Sequence, residues 1–170
     1  MFWLVLRPLR FFARAIVDQD SVRQLALGFA LGMVVGLVPK GNLIAISLMM
    51  IVGASKVNLG TSMMGAFVFS WVGMLIDPIS HEVGLWLLTQ ESLSGFWTWL
   101  YNQPIVPWTR FNNTVVLGSF VLGWALFYPV YRITKSRLTV WQPKLAERFQ
   151  KFKLTQILLG AEYASKLGGA

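Results

Sequence analysis

Leu25-Ala-Leu-Gly-Phe-Ala-Leu-Gly-Met-Val-Val-Gly-Leu-Val38 contains no charged side chain and stops at Pro39-Lys40-Gly41-Asn42. A second apolar run, Leu43 to Ala54, follows at once and closes on Ser55-Lys56-Val57-Asn58. As a helix the first run extends only ~21 Å, short of a hydrocarbon core of ~30 Å; the second is shorter still. Two short apolar helices joined by a Pro-Gly turn are the pattern of a re-entrant hairpin, which enters a membrane and returns to the side it came from. The alternative is two thin or tilted spans that borrow length from Gln24 and from the turn. The hairpin over 24–54 is the preferred reading. The expected fold class is an all-α integral membrane protein: a broken or re-entrant helical hairpin plus two conventional spans, with interfacial amphipathic helices at both ends.

C-terminal to this stretch, Leu59 to Ile76 is the first run long enough for a conventional span, at ~27 Å. Asp77-Pro78 interrupts it and Ile79 to Leu88 continues it, so 57–88 reads as a span and its continuation. Proline removes one helical hydrogen bond, and a kink or helix end is expected there. Residues 89–113 turn polar, then aromatic and proline-bearing, as an external cap at a membrane interface would. Thr114 to Tyr131 is the last span, read as closed by Pro129, and 136–170 as a basic amphipathic cytoplasmic tail with Trp141, Leu145, Phe149 and Phe152 three or four residues apart. At the other end, Arg7, Arg10 and Arg14 share one face of an expected interfacial helix over 1–20, with Asp18, Asp20 and Ser21 as helix-start chemistry before the first apolar run.

Composition agrees with a lipid environment. Of 170 residues, 55% are hydrophobic and 13% charged, a balance far from that of a soluble domain. The formal charge of +8 invites a nucleic-acid reading, but the basic residues flank the apolar block, where anionic lipid or topology explains them. No nucleic acid is therefore expected as a partner. The absence of Cys removes thiolate catalysis, disulfides and Cys-based metal sites. The N-terminal apolar run precedes Arg7 and Arg10, the reverse of a cleaved signal peptide.

Before residue 24 there are four basic and two acidic residues; from Arg132 to Lys153 there are seven basic and one acidic. The positive-inside tendency places both ends, and Lys56, in the cytoplasm. Either the hairpin with two spans or four full spans satisfies that parity.

Four groups of side chains are candidates for function. Gly28, Gly32 and Gly36 fall every fourth residue and form a helix-packing stripe that admits another backbone closely. Lys40, Asn42, Lys56 and Asn58 bound the hairpin and are candidates for contact with lipid or solute; equally, Lys and Asn simply end helices there. Asp77, His81 and Glu82 are the one close acid and imidazole cluster, a candidate proton or ion site if Asp77 and His81 meet across one turn, or wet residues at a helix end. Trp97, Trp99, Trp108 and Trp141 are interfacial anchors. One His and two acids supply too few ligands for zinc, and no metal or cofactor is expected. No phosphate loop, nucleophile elbow or dinucleotide fingerprint is present, so no enzyme is expected and no catalytic residue is assigned.

The ordered set Leu27-Gly28-Phe29-Ala30-Leu31-Gly32, Gly36-Leu37-Val38-Pro39-Lys40-Gly41-Asn42 and Lys56-Val57-Asn58-Leu59-Gly60-Thr61 resembles the bacterial membrane family called domain of unknown function 2062, in a compact branch, over roughly residues 20–135. The resemblance implies a helical protein of the bacterial inner membrane and no established reaction. It also implies a setting among envelope-building proteins, some suggestive of glycan or lipid handling. The function expected is a small multi-pass scaffold or accessory subunit that binds membrane lipids and an integral or envelope protein, with a homo-oligomer open. The alternative is a transporter or lipid-translocation component with a site lined by the broken helices.

Overall fold

The computed structural model describes residues 21–151, with side chains described through Trp141. The expected interfacial helix over 1–20 and the tail beyond residue 151 lie outside the described residues. Within them the chain is helical without a strand: α1 (Val22–Leu37), α2 (Leu43–Ala54), α3 (Leu59–Leu88), α4 (Ser94–Tyr101) and α5 (Thr114–Lys151), with 3-10 turns at Glu91–Leu93 and Val106–Thr109.

Local chemistry sets each boundary. Ser21 opens α1 with a reciprocal cap: its Oγ accepts from the Gln24 N–H at 3.2 Å, and its own N–H donates to Gln24 Oε1 at 3.3 Å. Pro39 ends α1, because the residue before a proline is driven out of the helical region; Val38 is extended, with ψ 127°. Gly41 takes the positive φ of 88° that reverses the chain. Asn42, Asn58 and Asn113 then cap α2, α3 and α5, their side-chain oxygens accepting from the N–H groups of Ala45, Thr61 and Val116 at 2.9, 2.8 and 3.1 Å.

α1 is the centre of the molecule. Ten of its 16 residues are buried, against three of 12 in α2. It packs along α3 and α5, which also pack on each other, while α2 touches α1 lightly and stands off α3. Met33, Val34, Val35, Leu37 and Val38 form the core with Ala45, Leu48 and Val52 of α2; Phe69, Phe120 and Phe127 lean on it. The glycine contacts fix direction. Gly28 lies against Asn58 and Thr61, Gly32 against Ser62 and Gly36 against Ala66 and Phe69, so α1 and α3 run parallel. Gly84 meets Thr114 and Gly118 meets Ser80, so α5 returns antiparallel. The Asn58 N–H donates to the Gln24 carbonyl at 3.4 Å, which brings the chain after α2 back beside the start of α1.

Two expected interruptions do not end helices. α3 runs through Pro78. Gly73, before the proline, lies on α1, while Ser80 and Gly84, after it, are fixed on α5, so packing on both sides holds the helix. Likewise α5 does not close at Pro129 but continues to Lys151 in one element of 38 residues. Phe127 and Val130 flank that proline and both rest on the core. Leu59–Leu88 and Thr114–Trp141 are long and apolar enough to cross a membrane, and only 28% of the most apolar window of each is buried. A core helix of a water-soluble protein would be mostly covered.

Candidate functional site

The stripe of Gly28, Gly32 and Gly36 lies where α1 meets α3. A Cβ at Gly28 would stand 2.5 Å from the Asn58 carbonyl oxygen, one at Gly36 2.8 Å from that of Ala66, and one at Gly32 would run into the Ser62 backbone. α3 answers with its own glycine: Gly65 lies on the Phe29 carbonyl. Phe29 and Phe69 complete this seam edge to face, with ring centroids 5.9 Å apart.

A second close crossing joins α3 to α5, and the candidate residues named from sequence do not include it. Ser80 and Gly84 on α3 face Thr114 and Gly118 on α5, backbone against backbone. The signal was available, since both pairs are small residues four apart. Ser80 is fully buried with a hydroxyl that has no hydrogen-bond partner, and the Ser119 hydroxyl donates to the Val116 carbonyl at 3.1 Å. This crossing also captures His81, whose Nδ1 lies 2.6 Å from Thr114 Oγ1. The imidazole thus pairs across the helices rather than along α3 with Asp77. Glu82 is exposed, and among the described residues no group of three His, Asp or Glu side chains could hold a metal ion.

At the hairpin turn, Lys40 Nζ donates to the carbonyls of Val35, Gly36 and Val38 at 2.6, 3.0 and 2.8 Å. An ammonium has three protons, and here each faces a carbonyl that the end of α1 would otherwise leave unpaired. Asn42 Nδ2 donates to the Pro39 carbonyl at 2.6 Å, so this side chain braces the turn as well as capping α2. Asn58 caps α3, and its carbonyl accepts from the hydroxyls of Thr61 and Ser62 at 3.0 and 2.9 Å. Lys56, in the α2–α3 connection, is exposed.

The segment 89–113 is a cap built on aromatic contacts. Trp97 Nε1 donates to the Leu87 carbonyl at 3.0 Å and its ring stacks on buried Phe111 at 5.8 Å, which pins α4 to the end of α3. Trp99 and Trp108 instead face outward, Trp108 being 77% exposed, and Trp141 is exposed on the distant part of α5. Ile105 has φ 75° and Arg110 φ 55°. For a β-branched residue that is strained backbone, held between Pro104 and Pro107.

Charge is divided between the ends of this bundle. Lys56 lies at the end where α1 begins, and α5 leaves the core at that same end, carrying Arg132, Lys135 and Arg137. Among the described residues the acids Asp77, Glu82 and Glu91 belong to the other half, beyond the end of α1 or in the cap, in company with Lys40 and Arg110, while Glu147 lies on α5 with the basic residues. Above the basic end a groove of about 620 Å³ separates α2 from the α1–α3 pair, bordered by Gly32, Met49, Gly53, Ser62, Met63 and Phe67.

Residues 7–146 match the family described as an uncharacterized protein conserved in bacteria (DUF2062). The chain belongs to this family. The matched stretch takes in α1 to α4, the cap and most of α5, so all four groups of candidate side chains are DUF2062 positions. An uncharacterized protein of Treponema pallidum (strain Nichols) is 25% identical over 141 residues, covering 83% of this chain and 87% of that protein. No solved structure matches the chain at a significant level.

Proposed function

We propose that this DUF2062 protein is a non-catalytic, multi-pass accessory subunit of the bacterial inner membrane. In this reading α3 and α5 cross the bilayer, α1 and α2 re-enter it as a hairpin from the cytoplasmic side, and the cap on the outer face docks an envelope protein. The observation that carries the membrane placement is the outer face of α3. Phe67, Trp71, Met74, Leu75 and Ile79 stand out of the bundle, Leu75 at 81% exposure, and a contiguous apolar face of that kind belongs against lipid or protein. The charge division supports the orientation: cationic side chains are favoured at the cytoplasmic surface. The exposed Trp99, Ile105 and Trp108 support docking through the cap. Transport through a charged site has less support, because the Lys40 ammonium is already engaged by the end of α1.

The natural absence of Cys makes the test direct. Single cysteines at Lys56, Glu91, Asn102 and Arg137 are probed with a membrane-impermeant maleimide in intact spheroplasts. Labelling at 91 and 102 without permeabilisation, and at 56 and 137 only after it, is the expected result; the opposite pattern overturns the orientation. For the partner, the protein extracted in mild detergent should migrate in a larger assembly that dissociates in Trp99→Ser/Trp108→Ser. An assembly unaffected by that variant would sink docking through the cap.

A further inference from the structure

We propose that the groove between α2 and the α1–α3 pair binds an acyl tail of an anionic glycerophospholipid, its phosphate held at the Lys56 end. The inference rests on the membrane placement given above and adds a ligand and a site to it.

Three features select this occupant. The first is lining chemistry. The groove is bordered by Gly32, Met49, Gly53, Met63 and Phe67, and its one hydroxyl, that of Ser62, already donates to the Asn58 carbonyl at 2.9 Å. A polar solute would find no free hydrogen-bonding side chain there, whereas a hydrocarbon tail requires none. Methionines on both walls adapt to a flexible chain.

The second is size. Between Leu59 and Phe67 the α3 wall rises ~12 Å, comparable with the ~15 Å of hydrocarbon in one leaflet. The groove's volume of about 620 Å³ leaves room for a hydrocarbon chain along that wall.

The third is charge. Gly53, in the last turn of α2, and Leu59, the first residue of α3, both line the groove and flank the short connection that carries exposed Lys56. The stretch of α5 at this end of the bundle also carries the exposed Arg132, Lys135 and Arg137. A headgroup whose tail occupies the groove therefore sits in a cationic field, which favours anionic over zwitterionic lipid.

Gly53 supplies the probe. A Cβ there meets nothing within 4 Å, so Gly53→Trp starts without a clash at its Cβ and adds an indole at a position that lines the groove. Gly95 in the cap is equally open, and Gly95→Trp is the matched control. The full chain is placed in phosphatidylcholine nanodiscs doped with phosphatidylglycerol bearing an acyl-chain diazirine, and adducts are mapped by peptide mass spectrometry. Adducts concentrated on Met49 and Met63 are expected, lost in Gly53→Trp, retained in Gly95→Trp and reduced roughly fivefold in Lys56→Gln. The same diazirine on phosphatidylcholine should label those residues several times less. Even labelling along α3 from Met63 to Leu75, indifferent to Gly53→Trp, overturns the site while leaving the membrane placement standing. Equal labelling by the two lipids overturns the choice of an anionic headgroup. Crosslinks between two copies at Met49 would give the groove to a second chain instead. No lipid adduct anywhere would remove the membrane placement itself.

Discussion

Gly32 makes the case for what a missing side chain does. Its Cα approaches the Ser62 backbone so closely that any Cβ would overlap it, so Gly32→Val must push α1 off α3. Overpacking of this kind costs about 1–3 kcal/mol or more. The thermal unfolding midpoint in detergent should drop for Gly32→Val and stay level or rise slightly for Gly53→Ala, whose Cβ is unopposed. Equal effects of the two would mean that helix propensity, not backbone approach, governs both. The stripe was legible in the sequence because four-residue spacing needs no tertiary knowledge. The role of Lys40 was legible only as a choice between a ligand contact and a helix terminus. Its geometry supplies the second, since a side chain that folds back on the preceding turn leaves no periodic mark. His81 was harder to read: its partner Thr114 is 33 residues away, beyond any local pattern.

Among the elements, boundaries governed by local chemistry were readable and those governed by packing were not. Pro39 ends α1 because Val38 before it is driven into the extended region and Gly41 after it reverses the chain, whereas Pro78 and Pro129 sit between residues clamped to neighbouring helices. The same residue type thus stops a chain in one place and is absorbed in two others. The cap shows a related limit. Its aromatic composition was evident, but the Trp97–Phe111 stack and the positive φ of Ile105 depend on how Pro104 and Pro107 turn the segment. Ile105→Gly relieves that strain and should raise the unfolding midpoint, by about 1 kcal/mol of stability. It also removes an exposed apolar side chain from the proposed docking surface, so the partner assembly should weaken while the isolated protein becomes harder to melt. A fall in both would show that Ile105 serves folding alone.

For the whole molecule, the partition of charge makes orientation a property that can be moved. Replacing Arg132, Lys135 and Arg137 together by Gln strips three cations from the basic end and leaves the apolar helices intact. A fraction of molecules should then expose a cysteine at Lys56 to the impermeant reagent in intact spheroplasts; complete protection would mean that the remaining basic residues suffice. The sequence displayed the number of long apolar helices and the basic flanks, since each is written locally. It did not display that α1, one short arm of the candidate hairpin, is the element around which the others gather, because its burial depends on partners made later in the chain.

That last arrangement bears on how the protein is assembled. The ribosome delivers α1 first, yet the surfaces that cover it, α3 and α5, arrive tens of residues afterwards. At ~24 Å, α1 is too short to rest stably across a bilayer by itself, and its glycine face has nothing to grip until Ser62 and Gly65 have been made. In the proposed membrane setting the nascent hairpin must therefore wait at the cytoplasmic surface or in the insertion machinery. It is drawn in only when the long helices close around it. A chain released before Thr114 would carry a half-enclosed α1 and an unmatched Ser80–Gly84 seam, features that membrane quality-control proteases are suited to find.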